Sequence, residues 1–210
     1  MKGPVEDLSW DKKLKARITT PGAHPRIHGY DVRGDLMKNI DLPALILLTL
    51  TGELPTKEQK TAFEKTMIFI APISVNEAPV HASVLAGLCG SDSTGRAGVA
   101  AITLAQQARC ITREHEATDL QENTGETTLL LNELTKHKVQ FPQEFRTLPP
   151  IQAAIAVLNH CCGLNTEQIE QVFLMARMPC ALAEAAAVKP GDFREYPIEL
   201  PGFEYTDGDK

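Results

Sequence analysis

The sequence predicts an all-α protein, and three observations carry that expectation. Ala, Leu, Glu, Gln and Lys dominate stretches longer than ten residues, while aromatic residues make up only 5% of the chain, a composition that favours helix over strand. No segment shows sustained period-2 alternation of β-branched residues, so strand is confined to short hairpin pieces near residues 17–30. Capping residues, glycines and prolines then punctuate the apolar runs at helical lengths.

Along the chain, Asp35 precedes an apolar run from Leu36 through Leu50 that ends at Gly52, with Pro43 marking a kink or a fresh helix start. Thr56-Lys57-Glu58-Gln59 has the pattern of a capping box and opens a helix through about Phe69, which Pro72 ends. Pro79 suits the first turn of the next helix, whose small residues Ala82, Ala86 and Gly87 lead to Gly90. After the loop from Gly90 to Gly95, helices are expected from Ala97 to about His115 and from Glu126 to Lys138. Val139 to Pro150, with three prolines, reads as a linker. Ile151 to Cys162 then forms a helix with Gly163 as its C-cap, and Asn165 or Thr166 starts a last helix from Glu167 to about Val188, bent at Pro179. Residues 189–210 read as an extended tail, and 1–210 as one domain with a reduced insertion around 116–150.

Several classes are disfavoured at this stage. The net charge of -6 and the lack of a basic helix with interleaved aromatics argue against nucleic acid as a partner. Leu42 to Leu50 is about half the length a membrane span requires, and Met1 to Asp11 lacks the apolar core of a secretory signal, so no membrane association and a cytoplasmic location are expected. The five cysteines are odd in number and read as reduced, mostly buried thiols. No His-x-x-x-His pair or carboxylate cluster points to a metal.

Two segments carry a resemblance. Gly29-Tyr30-Asp31-Val32-Arg33-Gly34-Asp35-Leu36, followed by Thr51-Gly52-Glu53-Leu54-Pro55-Thr56, resembles in order and spacing the N-terminal signature of citrate synthases and small citryl-CoA lyase-like proteins. Phe173-Leu174-Met175-Ala176-Arg177-Met178-Pro179-Cys180-Ala181-Leu182-Ala183-Glu184 is similar to the family helix that bears an Arg, and Tyr205-Thr206-Asp207-Gly208 resembles its C-terminal Y-T-G. The resemblance implies the large helical domain of the citrate synthase-like fold with the small domain largely deleted. It also implies a CoA thioester as substrate with no tightly bound cofactor, and an oligomer, either a homodimer or a hetero-oligomer with a related subunit. Arg177 inherits the role of binding a substrate carboxylate, for which a guanidinium offers two parallel donors and a permanent charge; an ordinary ion pair is the competing reading.

Departures from the family pattern are equally plain. Ala105 to Arg109 stands where a His-Gly-Gly motif belongs, no G-H-R or N-V-D motif appears before Pro150, and Leu200-Pro201 replaces Arg-Pro. The family helix H-A-D-H-E-x-N-A-S is met by Val75 to Ser83, with Ala78 at the His position and His81 a turn later. His81 is therefore the candidate for polarising a carbonyl, and Glu77 or His115 for proton transfer. The bland alternatives are a structural His, a first-turn carboxylate complementing the helix dipole, and a solvated face formed by Arg113 to Glu116. His28 and His24 flank a loop, and His28 is a further candidate for substrate binding. Two functions follow: a CoA-thioester lyase or synthase, or a catalytically degenerate homologue serving as an oligomer subunit. A binding module for a carboxylated metabolite is a third.

Overall fold

The computed structural model describes residues 16–113 and 125–187. The opening residues, His115 and the tail beyond Ala187, including Leu200-Pro201 and Tyr205 to Gly208, lie outside them. Helix accounts for 72% of the described residues, and the sole sheet among them is a three-stranded antiparallel piece, so the all-α expectation holds. The chain divides into two compact units, one over 16–69 and 125–169, the other over 70–113 and 170–187 among the described residues.

The first unit opens with β1 (Thr19–Thr20), β2 (Arg26–Ile27) and β3 (Tyr30–Asp31), paired in that order. His28 and Gly29 join β2 to β3 at φ 47° and 88°, the positive-φ pair of a type I′ hairpin turn. Asp31 then accepts hydrogen bonds from the backbone of Arg33 and Gly34 and caps a single π-helical turn, Val32–Leu36, which continues into α1 (Met37–Asn39). Those two N–H groups, Gly34's above all, hold the Asp31 carboxyl below its ordinary range. The Gly-Tyr-Asp segment is thus a turn and its cap.

Pro43 marks a fresh start, as α2 (Leu42–Thr51) is capped by Asp41, whose carboxylate accepts from Ala44 N and binds Lys60 Nζ at 2.7 Å. Gly52 ends α2 at φ 85°, a conformation that side chains with a Cβ rarely adopt. Thr56 and Gln59 exchange backbone-to-side-chain bonds at 2.9 and 3.2 Å, the reciprocal box that opens α3 (Lys57–Ile70). The Gly-Glu-Leu-Pro-Thr segment is therefore a helix stop joined to a helix start. In α3, Ala62, Phe63 and Thr66 are fully buried, and the Thr66 hydroxyl is the one buried side-chain polar atom without a hydrogen-bond partner among the described residues. Thr66→Val keeps the shape and removes the orphan hydroxyl; it is expected to raise stability by about 1 kcal/mol, read as an increased urea midpoint at unchanged slope.

Further on, α6 (Gly125–Lys136) ends two residues earlier than the sequence suggests, because Lys138 turns left-handed at φ 62° and Val139 N closes back on Leu134 O. The proline-rich linker holds a short 3-10 helix, Gln143–Thr147, whose Phe145 ring meets His160 edge-on at 5.7 Å. Pro150 takes the first position of α7 (Pro150–Cys162), one residue before the expected start. Gly163 caps that helix, and Asn165 with Gln168 forms the box that opens α8 (Thr166–Ala187). The cysteines are free among the described residues, but Cys89 is exposed and only Cys162 is fully buried, where burial pushes its thiol up to about 12.

The second unit is built from α4 (Ala78–Leu88), α5 (Ser93–Arg113) and the larger part of α8. α5 begins four residues before Ala97, since Asp92 caps it by accepting from Gly95 N at 2.7 Å. α4 and α5 meet closely: Ser83 Oγ donates to Arg96 O, and a Cβ at Gly87 would stand 2.8 Å from Arg96 Cδ. Ile73, Val80, Val84, Leu104, Ala181 and Ala185 form the buried core that joins all three helices.

Candidate functional site

On α8 the side chains of Phe173, Arg177, Ala181 and Ala185 follow one another at intervals of four, and all four are buried. Residues so spaced share a helix face, so the guanidinium of Arg177 is carried inward by the same stripe that packs the helix. It is 9% exposed. A charge this deep requires partners, and Arg177 has three. Its Nε donates to Ile70 O at 3.1 Å, and its Nη1 donates to Glu77 Oε2 at 2.8 Å and to Gln107 Oε1 at 2.9 Å.

Gln107 closes the cluster by donating from Nε2 to the same Glu77 Oε2 at 2.7 Å. The amide is thereby oriented without ambiguity: its oxygen must face the guanidinium and its nitrogen the carboxylate. The second Glu77 oxygen accepts from Ser74 N at 2.8 Å. Glu77 is the N-cap residue of α4, but its carboxylate makes no cap bond to that helix. The expectation of an exposed first-turn carboxylate is corrected: the Glu77 side chain is 30% exposed and committed to an ion pair. Likewise the helix-surface version of the Arg177 ion pair gives way to a buried one.

His81 sits one turn along α4 from Glu77, half-buried, its backbone N–H donating to Glu77 O at 3.0 Å. Glu77, His81 and Arg177 therefore belong to one unit. His28 belongs to the other, where its Nε2 lies 3.4 Å from Thr49 O and its ring borders the Gly52 turn. His115 lies outside the described residues. Arg113 is exposed but paired, 2.6 Å from Glu170.

Gln107 was not singled out by the sequence, which marked Ala105 to Arg109 only as the place of a missing motif. Its one local signal is position: it follows Leu104 by three residues, at the border of the buried α5 row Ala100, Leu104, Ala108 and Thr112. Among the described residues no group of three or more His, Cys, Asp or Glu side chains is arranged to hold a metal ion, and no helix is long and apolar enough to cross a membrane.

No family model and no curated protein matches the sequence. Solved structures do match. Citryl-CoA lyase from Hydrogenobacter thermophilus is similar at a TM-score of 0.68 and 17% identity, over 94% of this chain and 96% of that one. Two ATP citrate lyases also match: that of Methanosaeta concilii, a variant solved with (3S)-citryl-CoA, at TM-score 0.61 and 12% identity, and that of Methanothrix soehngenii, solved with citrate and coenzyme A, at 0.58 and 12%. In both cases 94% of this chain is covered but only 43% of the longer enzyme. The helical architecture is the citrate synthase-like fold of citryl-CoA lyase.

Proposed function

We propose that the chain acts on a CoA thioester and a small carboxylic acid by cleavage or formation of a carbon–carbon bond, in the manner of citryl-CoA lyase. The observation that carries this reading is the buried Arg177 on a backbone that follows a citryl-CoA lyase over nearly the whole of both chains. A guanidinium held nine-tenths out of water on fixed partners is pre-oriented for a carboxylate, and its charge acts there with little screening. In the cleavage direction a base removes the proton of the tertiary hydroxyl, the carbon–carbon bond breaks with its electron pair passing to the thioester's α-carbon, and a proton is returned there. Arg177 holds a carboxylate of the acid half during this step, and His81 polarises a carbonyl. Glu77, occupied by Arg177 and Gln107, must leave that pair before it can carry a proton. His115 and His28 keep their sequence-based candidacy for proton transfer and ligand binding.

One observation favours a second reading, a catalytically degenerate homologue that serves as an oligomer subunit: the chain already balances the charge of Arg177 by itself. Assay of citryl-CoA cleavage, with calorimetric titration of CoA, acetyl-CoA and citrate, separates the two. The first reading expects turnover and CoA binding, with Arg177→Gln lowering kcat/KM by on the order of a hundredfold. A folded protein that binds no CoA and cleaves nothing transfers the case to the second reading, which in turn requires a stable dimer or hetero-oligomer by light scattering.

A further inference from the structure

The Glu77 carboxylate stands on Arg177 in the way an acidic ligand would. We propose that Glu77 is a built-in occupant of a carboxylate site formed by Arg177 and Gln107, which an external carboxylate enters by displacing it. This rests on the reading of Arg177 as a carboxylate-binding residue, and adds to it a competitor and a second ligand-binding side chain.

Glu77 is the more exposed partner of the ion pair. Its side chain is 30% exposed against 11% for Arg177, and it is attached at the junction between the 71–76 loop and α4. When it withdraws, the guanidinium stays in place, because Ile70 O still holds Nε and Gln107 Oε1 still holds Nη1. Nη1 regains the donor it gave to Glu77, and Nη2 has no protein acceptor among the described residues. Gln107 Nε2, released from Glu77, faces the same space. At the other end the loss is small: the Ser74 N–H is surrendered to water at an exposed residue.

Charge then selects the ligand. Withdrawing Glu77 without replacement leaves a buried, uncompensated cation, which is strongly unfavourable. An incoming carboxylate restores the pair, so the exchange is of like for like; a neutral ester or amide does not, and is rejected. The site is closed to everything but an anion that outcompetes an intramolecular one.

The test is calorimetric titration of citrate, and of its uncharged trimethyl ester, into the full chain and into Glu77→Gln and Glu77→Asp. Removing the competitor should tighten citrate binding by about tenfold or more, the factor expected when the free site is only a minor state of the native protein. Glu77→Asp keeps a carboxylate at the N-cap position but is one methylene short of Arg177; it makes the same comparison should Glu77→Gln fail to fold. Adding Arg177→Gln to the tight-binding variant should abolish binding, and the ester should bind to none. Equal or weaker citrate binding by both Glu77 variants overturns the proposal; if the native chain nevertheless binds citrate through Arg177, the functional reading stands without it. No citrate binding by any folded form overturns both.

Discussion

Glu77→Ala is expected to lower stability by roughly 2–3 kcal/mol, more than Arg177→Met, although the two remove opposite ends of one ion pair. The asymmetry follows from burial. Without Glu77, the guanidinium of buried Arg177 is left with a carbonyl and an amide oxygen as its only partners and no counter-charge. Without Arg177, the Glu77 carboxylate is already 30% exposed and can turn to water while keeping Ser74 N, and a methionine fills most of the space the arginine left. The loss for Arg177→Met should be about 1–2 kcal/mol. Scanning calorimetry at pH 7 checks this: a fall of roughly 5–10 °C for Glu77→Ala and a clearly smaller one for Arg177→Met. The reverse order would mean that the arginine acts mainly through its packing. Saturating citrate should restore part of the lost stability in Glu77→Ala and none in Arg177→Met, since ligand binding to the native state alone stabilises it.

Leu104→Ala should cost about 3 kcal/mol or more, within the range for emptying a fully buried leucine site. Leu104 is 1% exposed at the centre of the cluster that joins α4, α5 and α8. These three helices also bear His81, Gln107 and Arg177. A cavity there relaxes the element that positions the Gln107 amide three residues on, so the variant should lose citrate affinity as well as thermal stability. Loss of stability with unaltered affinity would show that the Gln107 amide is held by its hydrogen bonds alone.

Local chemistry was legible in the sequence, and distant chemistry was not. The box at Thr56 and Gln59, the stops at Gly52 and Gly163, and the start at Asn165 depend on residues within a turn of one another, and each appears where the pattern places it. The start of α5 was obscured because its first turns contain Gly95 and Gly98, poor helix formers, so that Asp92 looked like one more loop residue. Lys138 hid the end of α6, as lysine carries no bias toward the left-handed region. The burial of Arg177 could have been read from its place in the row Phe173, Arg177, Ala181 and Ala185. Its partners could not: Glu77 and Gln107 are 100 and 70 residues away, and only the packing of three helices brings them together.

Pro179 lies two residues beyond Arg177 inside α8. A proline offers no amide hydrogen, so the ladder of the helix lacks the rung that would tie position 179 to position 175. For amide hydrogen exchange this divides α8 into two cooperative blocks. Residues 180–187 are free to open from the C-terminal side, restrained chiefly by buried Ala181 and Ala185, while the amides from Val172 through Met178 exchange only when the stretch carrying the arginine opens. The guanidinium thus keeps its position as residues 180–187 open, and a ligand bound there should slow exchange of the Val172 to Met178 amides while adding no protection to those of 180–187.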